Sequence, residues 1–343
     1  MENQVNVVLI GLGPMGKLIA KAIVRKKGLR IVGAIDVSKD LVGKDIGEVL
    51  DMTETMGVTI TDDANAVLST GGIDIAVIAT GSYLKDVYPL ITTCVKNHVN
   101  VISTCEELSY PYFKYPELSR KINSMAKKFG VTVLGTGINP GYLMDTLPIV
   151  LTGACEKVES VKVTRMMDSS KRRISYQKKI GTGLTVEEFN KMMNEKRISG
   201  HVGLEESVAM IASALGWELD YINELPPEPV VTDKEIVTPF KAIKPGEVAG
   251  LRSIAYGNVN GKSKITLEFN SHAEVKEEFD SIVIEGTPRI EEKIIGGING
   301  DIGTVNVIIN MIPKVLNADA GLVTMKDLPI PSSTTEDLRI YLK

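Results

Sequence analysis

Cysteine and histidine are the scarce residues of this sequence, three of each among 343. Cys94, Cys105 and Cys155 are too few and too scattered for a disulfide framework or a C-x-x-C metal site. His98, His201 and His272 lie far apart without metal-ligand spacing, so no metal is expected. Charge of one sign is also missing. With 39 Lys+Arg against 43 Asp+Glu the net charge is −4, which gives no electrostatic reason to expect nucleic acid as a partner. No apolar run approaches the roughly 20 residues that cross a bilayer, so no membrane partner is expected either. Repeats, low-complexity stretches and long flexible linkers are absent. The first strand pattern starts at Val5 with no basic leader, apolar signal core or cleavage site ahead of it. The expectation is a soluble, cytoplasmic protein. Its one tryptophan, Trp217, is expected to pack rather than to bind.

What is present is ordinary globular material, 43% hydrophobic and 24% charged, and the length suits about two domains. Up to residue 139 short apolar strands (5–10, 30–35, 74–80, 100–104, 131–135) alternate with amphipathic helices (15–26, 83–97, 116–129). The strands are rich in Val and Ile and apolar on both faces, as in a buried parallel sheet. Short connections then imply right-handed crossovers and a doubly wound α/β domain of the Rossmann type. From residue 140 to 315 the pattern changes to α+β. It reads as a strand at 160–167, a basic loop, and a helix opened by the capping box Thr185-Val-Glu-Glu188. A helix at 204–215 follows, and Leu225-Pro-Pro-Glu-Pro229 reads as a rigid connection that no central strand would tolerate. Strands at 247–258, 263–271 and 280–285 form a mixed or antiparallel sheet, the first two joined by Asn260-Gly261, a tight-hairpin pair. A last helix is expected at 301–315, and residues 316–343 form a tail that returns to the first domain. The second sheet needs a cover for one apolar face, which makes this the substrate and dimerisation domain of a homodimer.

The first strand runs into Gly11-Leu12-Gly13-Pro14-Met15-Gly16 and then a helix. Gly11 permits the tight turn, Gly13 lets the backbone approach a pyrophosphate, and Gly16 lets helix and strand pack closely. The helix N-terminus adds amides and partial positive charge. Asp36 ends the second strand 20 residues after Gly16, where a carboxylate can bind both ribose hydroxyls. That carboxylate favours NAD, because it would repel a 2′-phosphate. Ser38 and Lys39 could still offer such a phosphate a hydroxyl and a cation, so NADP stays open. Ala79-Thr80-Gly81 ends the next strand as a small-residue turn that could lie against the cofactor, or serve as a plain strand-to-helix turn.

Ligands of an open parallel sheet bind beyond the carboxyl ends of its strands. Two further segments end there: Cys105-Glu106-Glu107, and Thr136-Gly137-Ile138-Asn139-Pro140-Gly141. Adjacent carboxylates could serve as general base or as counter-charge to a cationic substrate; they could equally be solvated acids at a helix start. Neighbouring residues point different ways, so one of the two is expected to reach the site. Cys105 lies beside the cofactor position, has no His partner, and reads as a small buried hydrophobe rather than a nucleophile. Asn139 and Pro140, between two glycines, form a rigid loop whose amide could hold a nicotinamide carboxamide, or a domain hinge. Lys171, Arg172, Arg173, Lys178 and Lys179 put five cations in nine residues, either a carboxylate clamp or a solvated face. His201, between two glycines, is a substrate ligand, a proton relay, or a capping or core-facing residue.

Together the runs Ile102-Ser-Thr-Cys-Glu-Glu-Leu-Ser-Tyr-Pro111, Gly135-Thr-Gly-Ile-Asn-Pro-Gly-Tyr142, Gly200-His-Val-Gly-Leu204 and Gly321-Leu-Val-Thr-Met-Lys-Asp-Leu-Pro329 resemble the 2,4-diaminopentanoate dehydrogenases and native amine dehydrogenases of amino-acid metabolism. The resemblance covers essentially the whole chain, and the wider group shares its N-terminal domain with dihydrodipicolinate reductase. It implies NAD(P)-dependent oxidative deamination at C4 of 2,4-diaminopentanoate, a step of ornithine degradation, giving 2-amino-4-oxopentanoate and ammonia. It also implies a glutamate after the strand at 100–104 that handles ammonia or water. That falls on Glu106 and Glu107, with Glu106 preferred because it leaves the strand first. Tyr142, His201, Arg172 and Arg173 are the substrate-binding candidates, with Arg165 a further candidate for the carboxylate. Related sugar dehydrogenases carry Glu-Lys-Pro here; the absence of that Lys counts against alcohol oxidation. Two other readings are a cyclic-imine reductase of the dihydrodipicolinate reductase type and a non-catalytic dinucleotide-binding protein. The first lacks its His-rich motif in this sequence, and the second predicts cofactor binding without turnover.

Overall fold

The computed structural model describes residues 4–343. Residues 1–3, on which the reading of the extreme N-terminus partly rests, lie outside the described residues. The chain divides into two units. One comprises the described residues up to Tyr142 together with Gly300–Lys343, and the other is Leu143–Asn299.

In the first unit strands and helices alternate: β1 (Val5–Ile10), α1 (Pro14–Arg25), β2 (Leu29–Ile35), α2 (Ile46–Val49), β3 (Ile60–Thr61), α3 (Ala64–Leu68), β4 (Ile75–Ile78), α4 (Leu84–Lys96), β5 (Asn100–Ser103), α5 (Pro116–Phe129) and β6 (Thr132–Gly135). Every residue of β4 and of β6 is buried, as two-sided burial requires of central parallel strands. Helix α1 turns Ile19, Ala20 and Ile23 inward. Helix α5 opens on Pro116 and closes on Gly130 at φ 69°, the usual asymmetry of helix ends. The short elements α2, β3 and α3 carry too few residues for a sequence period and were not foreseen.

The second unit follows as α6 (Thr146–Thr152), β7 (Lys157–Asp168), α7 (Ile174–Lys179), α8 (Val186–Asn194), α9 (Leu204–Ala214), β8 (Tyr221–Glu224), β9 (Glu228–Val231), β10 (Ile236–Val237), β11 (Ala242–Ile243), β12 (Val248–Val259), β13 (Lys262–His272), β14 (Phe279–Thr287) and β15 (Ile290–Ile295). Its main sheet has the order β15-β14-β7-β13-β12-β8, with β9 also on β12; β7 and β13 run parallel and the other pairs antiparallel. Phe189 of α8 and Leu204, Val208 and Ile211 of α9 pack on Val161, Val163, Ile265, Leu267, Ile282 and Ile284. Each such side chain contributes roughly 1.5–3 kcal/mol on burial. The capping box of α8 is formed, Glu188 N donating to Thr185 Oγ1 at 3.1 Å and Thr185 N to Glu188 Oε2 at 2.9 Å. At the hairpin Asn260 and Gly261 take φ of 51° and 72°, as the turn demands. The proline-rich stretch is more than a connection. Pro229 lies in β9 opposite Leu251, where an edge strand tolerates its missing donor.

The chain then returns to the first unit as α10 (Gly300–Leu316) and β16 (Gly321–Val323). The parallel sheet there has the order β16-β6-β5-β4-β1-β2-β3. Expected at 301–315 within the second domain, α10 instead belongs with the first unit, packing against α1, β5 and β6. Its apolar period shows that it is buried and carries no mark of which sheet buries it. Among the described residues no helix is long and apolar enough to cross a membrane.

Candidate functional site

Because all strands of the first sheet run parallel, the ends of β1, β2, β4, β5 and β6 share one edge, and the order reverses between β1 and β4. The glycine loop sits at that reversal. Gly11 has φ 93°, and a Cβ there would lie 2.7 Å from Ala79 O; a Cβ on Gly16 would lie 1.9 Å from Gly11 O. A Cβ on Gly13 would meet nothing within 4 Å, so this glycine faces open space, as a residue over which a pyrophosphate lies should. Pro14 is the first residue of α1, Met15 is half-buried beside it, and Gly13 and Pro14 are exposed. Asp36 ties the second strand to the loop, its carboxylate accepting from Leu12 N at 2.6 Å and from Ser38 N at 2.8 Å. Lys39, Thr80 and Gly81 are exposed around the same edge, and Ala79 N donates to Ile10 O at 2.7 Å. These residues fit a dinucleotide: open amides at a helix start for the phosphates and a carboxylate for the ribose.

Beyond β5 the chain makes a tight turn, Glu106–Leu108. Cys105 is buried, donates its thiol to Ser82 O at 3.3 Å, and is held protonated by burial and by the neighbouring Glu106 charge. Its side chain is packed in the unit's interior, as expected of a small buried hydrophobe. The two glutamates differ sharply. Glu107 is 2% exposed, accepts from Leu84 N at 2.8 Å and Tyr115 Oη at 2.9 Å, and pairs with Lys114 Nζ at 3.1 Å. It is a structural brace between α4 and the start of α5. Glu106, by contrast, is half-buried. Sequence spacing carried no signal for Lys114 and Tyr115. At the end of β6, Asn139-Pro140 is a cis peptide, and Thr304 of α10 joins this loop by accepting from Ile138 N at 3.4 Å. Thr304 was not foreseen, because α10 was assigned elsewhere. Tyr142, half-buried, ends this part of the unit.

In the second unit the cationic run is divided. Arg172 is buried, stacks over the Tyr176 ring at 4.3 Å and donates to Met167 Sδ at 3.0 Å. Arg173 precedes α7 and donates to Ser175 Oγ at 3.2 Å. Lys171 pairs with Glu278. His201 lies flat on Phe269, ring centroids 4.0 Å apart, and desolvation, with Lys179 and Arg165 nearby, pushes its pKa down to about 3. It is a neutral imidazole. Arg165 is 2% exposed, 3.7 Å from Asp280 Oδ1 through Nε, and donates through Nη2 to Ile298 O. Its Nη1 has no hydrogen-bond partner among the described residues. Arg165 and Arg172 face a cavity of about 130 Å³ that Asp168, Glu278 and Asp280 also line. Burial pushes the Asp280 carboxyl up and both guanidiniums down, with the Arg165–Asp280 pairing opposing the shift in each partner.

A glycine-loop Rossmann unit with a mixed-sheet second unit defines a dinucleotide-dependent oxidoreductase using NAD or NADP. Residues 142–343 match the 2,4-diaminopentanoate dehydrogenase C-terminal domain, and residues 5–109 match the dihydrodipicolinate reductase N-terminus. The chain is 36% identical, over 98% of its length and 96% of the relative's, to 2,4-diaminopentanoate dehydrogenase of Acetoanaerobium sticklandii. It is 24% identical to an amine dehydrogenase of Streptomyces virginiae, over 95% of this chain and 96% of that one. The solved amine dehydrogenase of Mycobacterium smegmatis matches with a TM-score of 0.86 at 26% identity, covering 97% of this chain and 98% of that one. The chain belongs to the 2,4-diaminopentanoate dehydrogenase family.

Proposed function

We propose that this protein oxidatively deaminates 2,4-diaminopentanoate at C4 to 2-amino-4-oxopentanoate and ammonia, and runs the reverse reductive amination. The observation that carries this reading is the pairing of a dinucleotide loop with a second unit whose small cavity offers both signs of charge. A bound nicotinamide supplies the acceptor for the hydrogen and electron pair leaving C4. The rest falls to the chain. Glu106 takes a proton from the C4 ammonium, so that the amine lone pair can form the C=N bond as C4–H breaks, and releases that proton to solvent. As a carboxylate again, it takes a proton from the water that adds to the C=N carbon and returns it to the departing nitrogen. With the hydride on the nicotinamide, the ammonium form of the substrate and water become ketone, ammonium and one free proton. Support for Glu106 over Glu107 is the commitment of Glu107 to Leu84, Tyr115 and Lys114.

Within the second unit, the unpartnered Nη1 of Arg165 suits a carboxylate, and Asp280, Glu278 and Asp168 suit an ammonium, the two groups of an α-amino acid. Arg172, buried against Tyr176, supports the cavity wall, whereas Arg173, the residue before α7, does not line this cavity. Homodimer formation uses the sheet face opposite α8 and α9, where Tyr256, Met166 and Val283 are half-exposed. Cytoplasmic work in ornithine degradation is the accompanying inference, in line with the free thiols of Cys94, Cys105 and Cys155.

The test follows nicotinamide absorbance with 2,4-diaminopentanoate and with 2-aminopentane, using NAD and NADP. Glu106→Gln is expected to lower kcat about 100-fold or more on both amines. Arg165→Lys keeps a cation beside Asp280 but loses the guanidinium fork. It is expected to raise KM about 10-fold for the diamino acid alone. Absence of turnover by the cofactor-saturated wild type would sink the reading.

A further inference from the structure

Two lysines of the cationic run, Lys178 and Lys179, remain outside the Arg165 cavity and outside the reaction proposed above. They line a separate cavity of about 470 Å³ in the second unit, and the two cavities share no lining residue. Arg197 adds a third cation to its lining, 3.5 Å from Glu195. Lysines in the last turn of a helix such as α7 have an ordinary explanation, since they oppose the partial negative charge of the helix end. That explanation leaves Thr182 unaccounted for. Thr182 is 2% exposed, lines the same cavity, and its hydroxyl Oγ1 has no hydrogen-bond partner among the described residues. A buried hydroxyl without a partner costs about 1–3 kcal/mol, and a ligand oxygen would recover it.

Part of the lining is apolar. Phe240 faces Lys178 Nζ, 5.4 Å from the ring centroid, and Leu184 and Met192 continue that surface. A volume of 470 Å³ is in the range of small-molecule sites and exceeds what an inorganic anion fills. We propose that this cavity is a second ligand site, for a carboxylate or phosphate carried on a compact apolar body. The anionic oxygens meet Lys178, Lys179, Arg197 and the Thr182 hydroxyl, and the body rests on Phe240. The site is coupled to the Gly200-His201-Val202-Gly203 segment, because Gly200 N donates to Lys179 O at 3.2 Å.

The experiment is titration calorimetry of the NAD-saturated full chain with phenyl phosphate, benzoate, benzyl alcohol and inorganic phosphate. Saturable 1:1 binding of phenyl phosphate or benzoate is expected, and the tighter of the two identifies the anionic group. Binding should weaken about 10-fold in Lys179→Met and in Thr182→Val, and stay unchanged in Arg165→Lys. Lys178→Gln, at an exposed position, gives the same comparison should a buried substitution unfold the protein. The proposal is overturned by failure of both aromatic anions to bind, by equal binding of benzyl alcohol, or by loss in Arg165→Lys with retention in Lys178→Gln. Because the readout is binding rather than turnover, it stands or falls independently of the deamination chemistry.

Discussion

Adjacent carboxylates with the same local sequence have been given different tasks by residues far along the chain. Glu107 closes on Leu84, 23 positions away, and on Tyr115, 8 positions away. Glu107→Gln keeps the shape, removes the charge facing Lys114 and turns an amide NH₂ toward one of two donors. It is expected to destabilise the protein by about 1–3 kcal/mol in urea unfolding. Local spacing made the pair visible as a candidate and could not divide it, since the partners that decide are tertiary. His201 shows the same limit. Its glycine-flanked position and a core-facing reading were legible; the partner ring Phe269 and the two cations beside it were not. The native value near 3 lies below the ordinary 6.5, so the unfolded chain takes up a proton that the native chain does not. The histidine's contribution is therefore complete above pH 6.5 and is lost as pH falls from there toward 3. The midpoint of urea unfolding is expected to drop as pH falls below 6.5, and His201→Gln to flatten that slope.

At the scale of elements, the glycine loop separates binding from folding within six residues, Gly11 to Gly16. Gly16→Ala places a methyl 1.9 Å from Gly11 O, so thermal stability and dinucleotide affinity should fall together. Gly13→Ala meets no protein atom within 4 Å, so melting temperature should hold while dinucleotide affinity weakens about 10-fold. Equal melting losses in the two variants would contradict this division. The loop was readable in full because strand, turn and helix are encoded in consecutive residues, and the same holds for the Thr185 capping box and the Asn260-Gly261 turn. Elements of two to four residues, such as β3, β8, β9 and β16, were missed for the complementary reason. Their pairing comes from neighbouring strands, and a two-residue run has no measurable period.

For the molecule as a whole, two domains of the right classes were legible, and the unit to which α10 belongs was not. Helix α10 is apolar enough to belong to either unit, and only its packing on α1, β5 and β6 assigns it. The first unit is consequently assembled from two stretches of chain. A fragment ending at Tyr142 lacks α10 and β16 and should be insoluble. A chain in which a short linker joins Tyr142 directly to Gly300 should fold and retain dinucleotide binding, which fluorescence titration with NADH would measure. Failure of that fusion to bind would mean that the first unit depends on the inserted one for more than its continuity.

Strand β16 docks beside β6 by three parallel pairs, Gly321 to Thr132, Leu322 to Val133 and Val323 to Leu134, and Tyr112 Oη donates to Leu322 O at 2.7 Å. During synthesis this makes the dinucleotide sheet the first to be started and the last to be finished. Leu143–Asn299 emerges whole from the ribosome while β6 still presents an unpaired edge, the kind of edge that invites pairing with another chain. A translation pause or premature stop just ahead of Gly321 would thus release a chain with its second unit complete and its cofactor sheet open along one side.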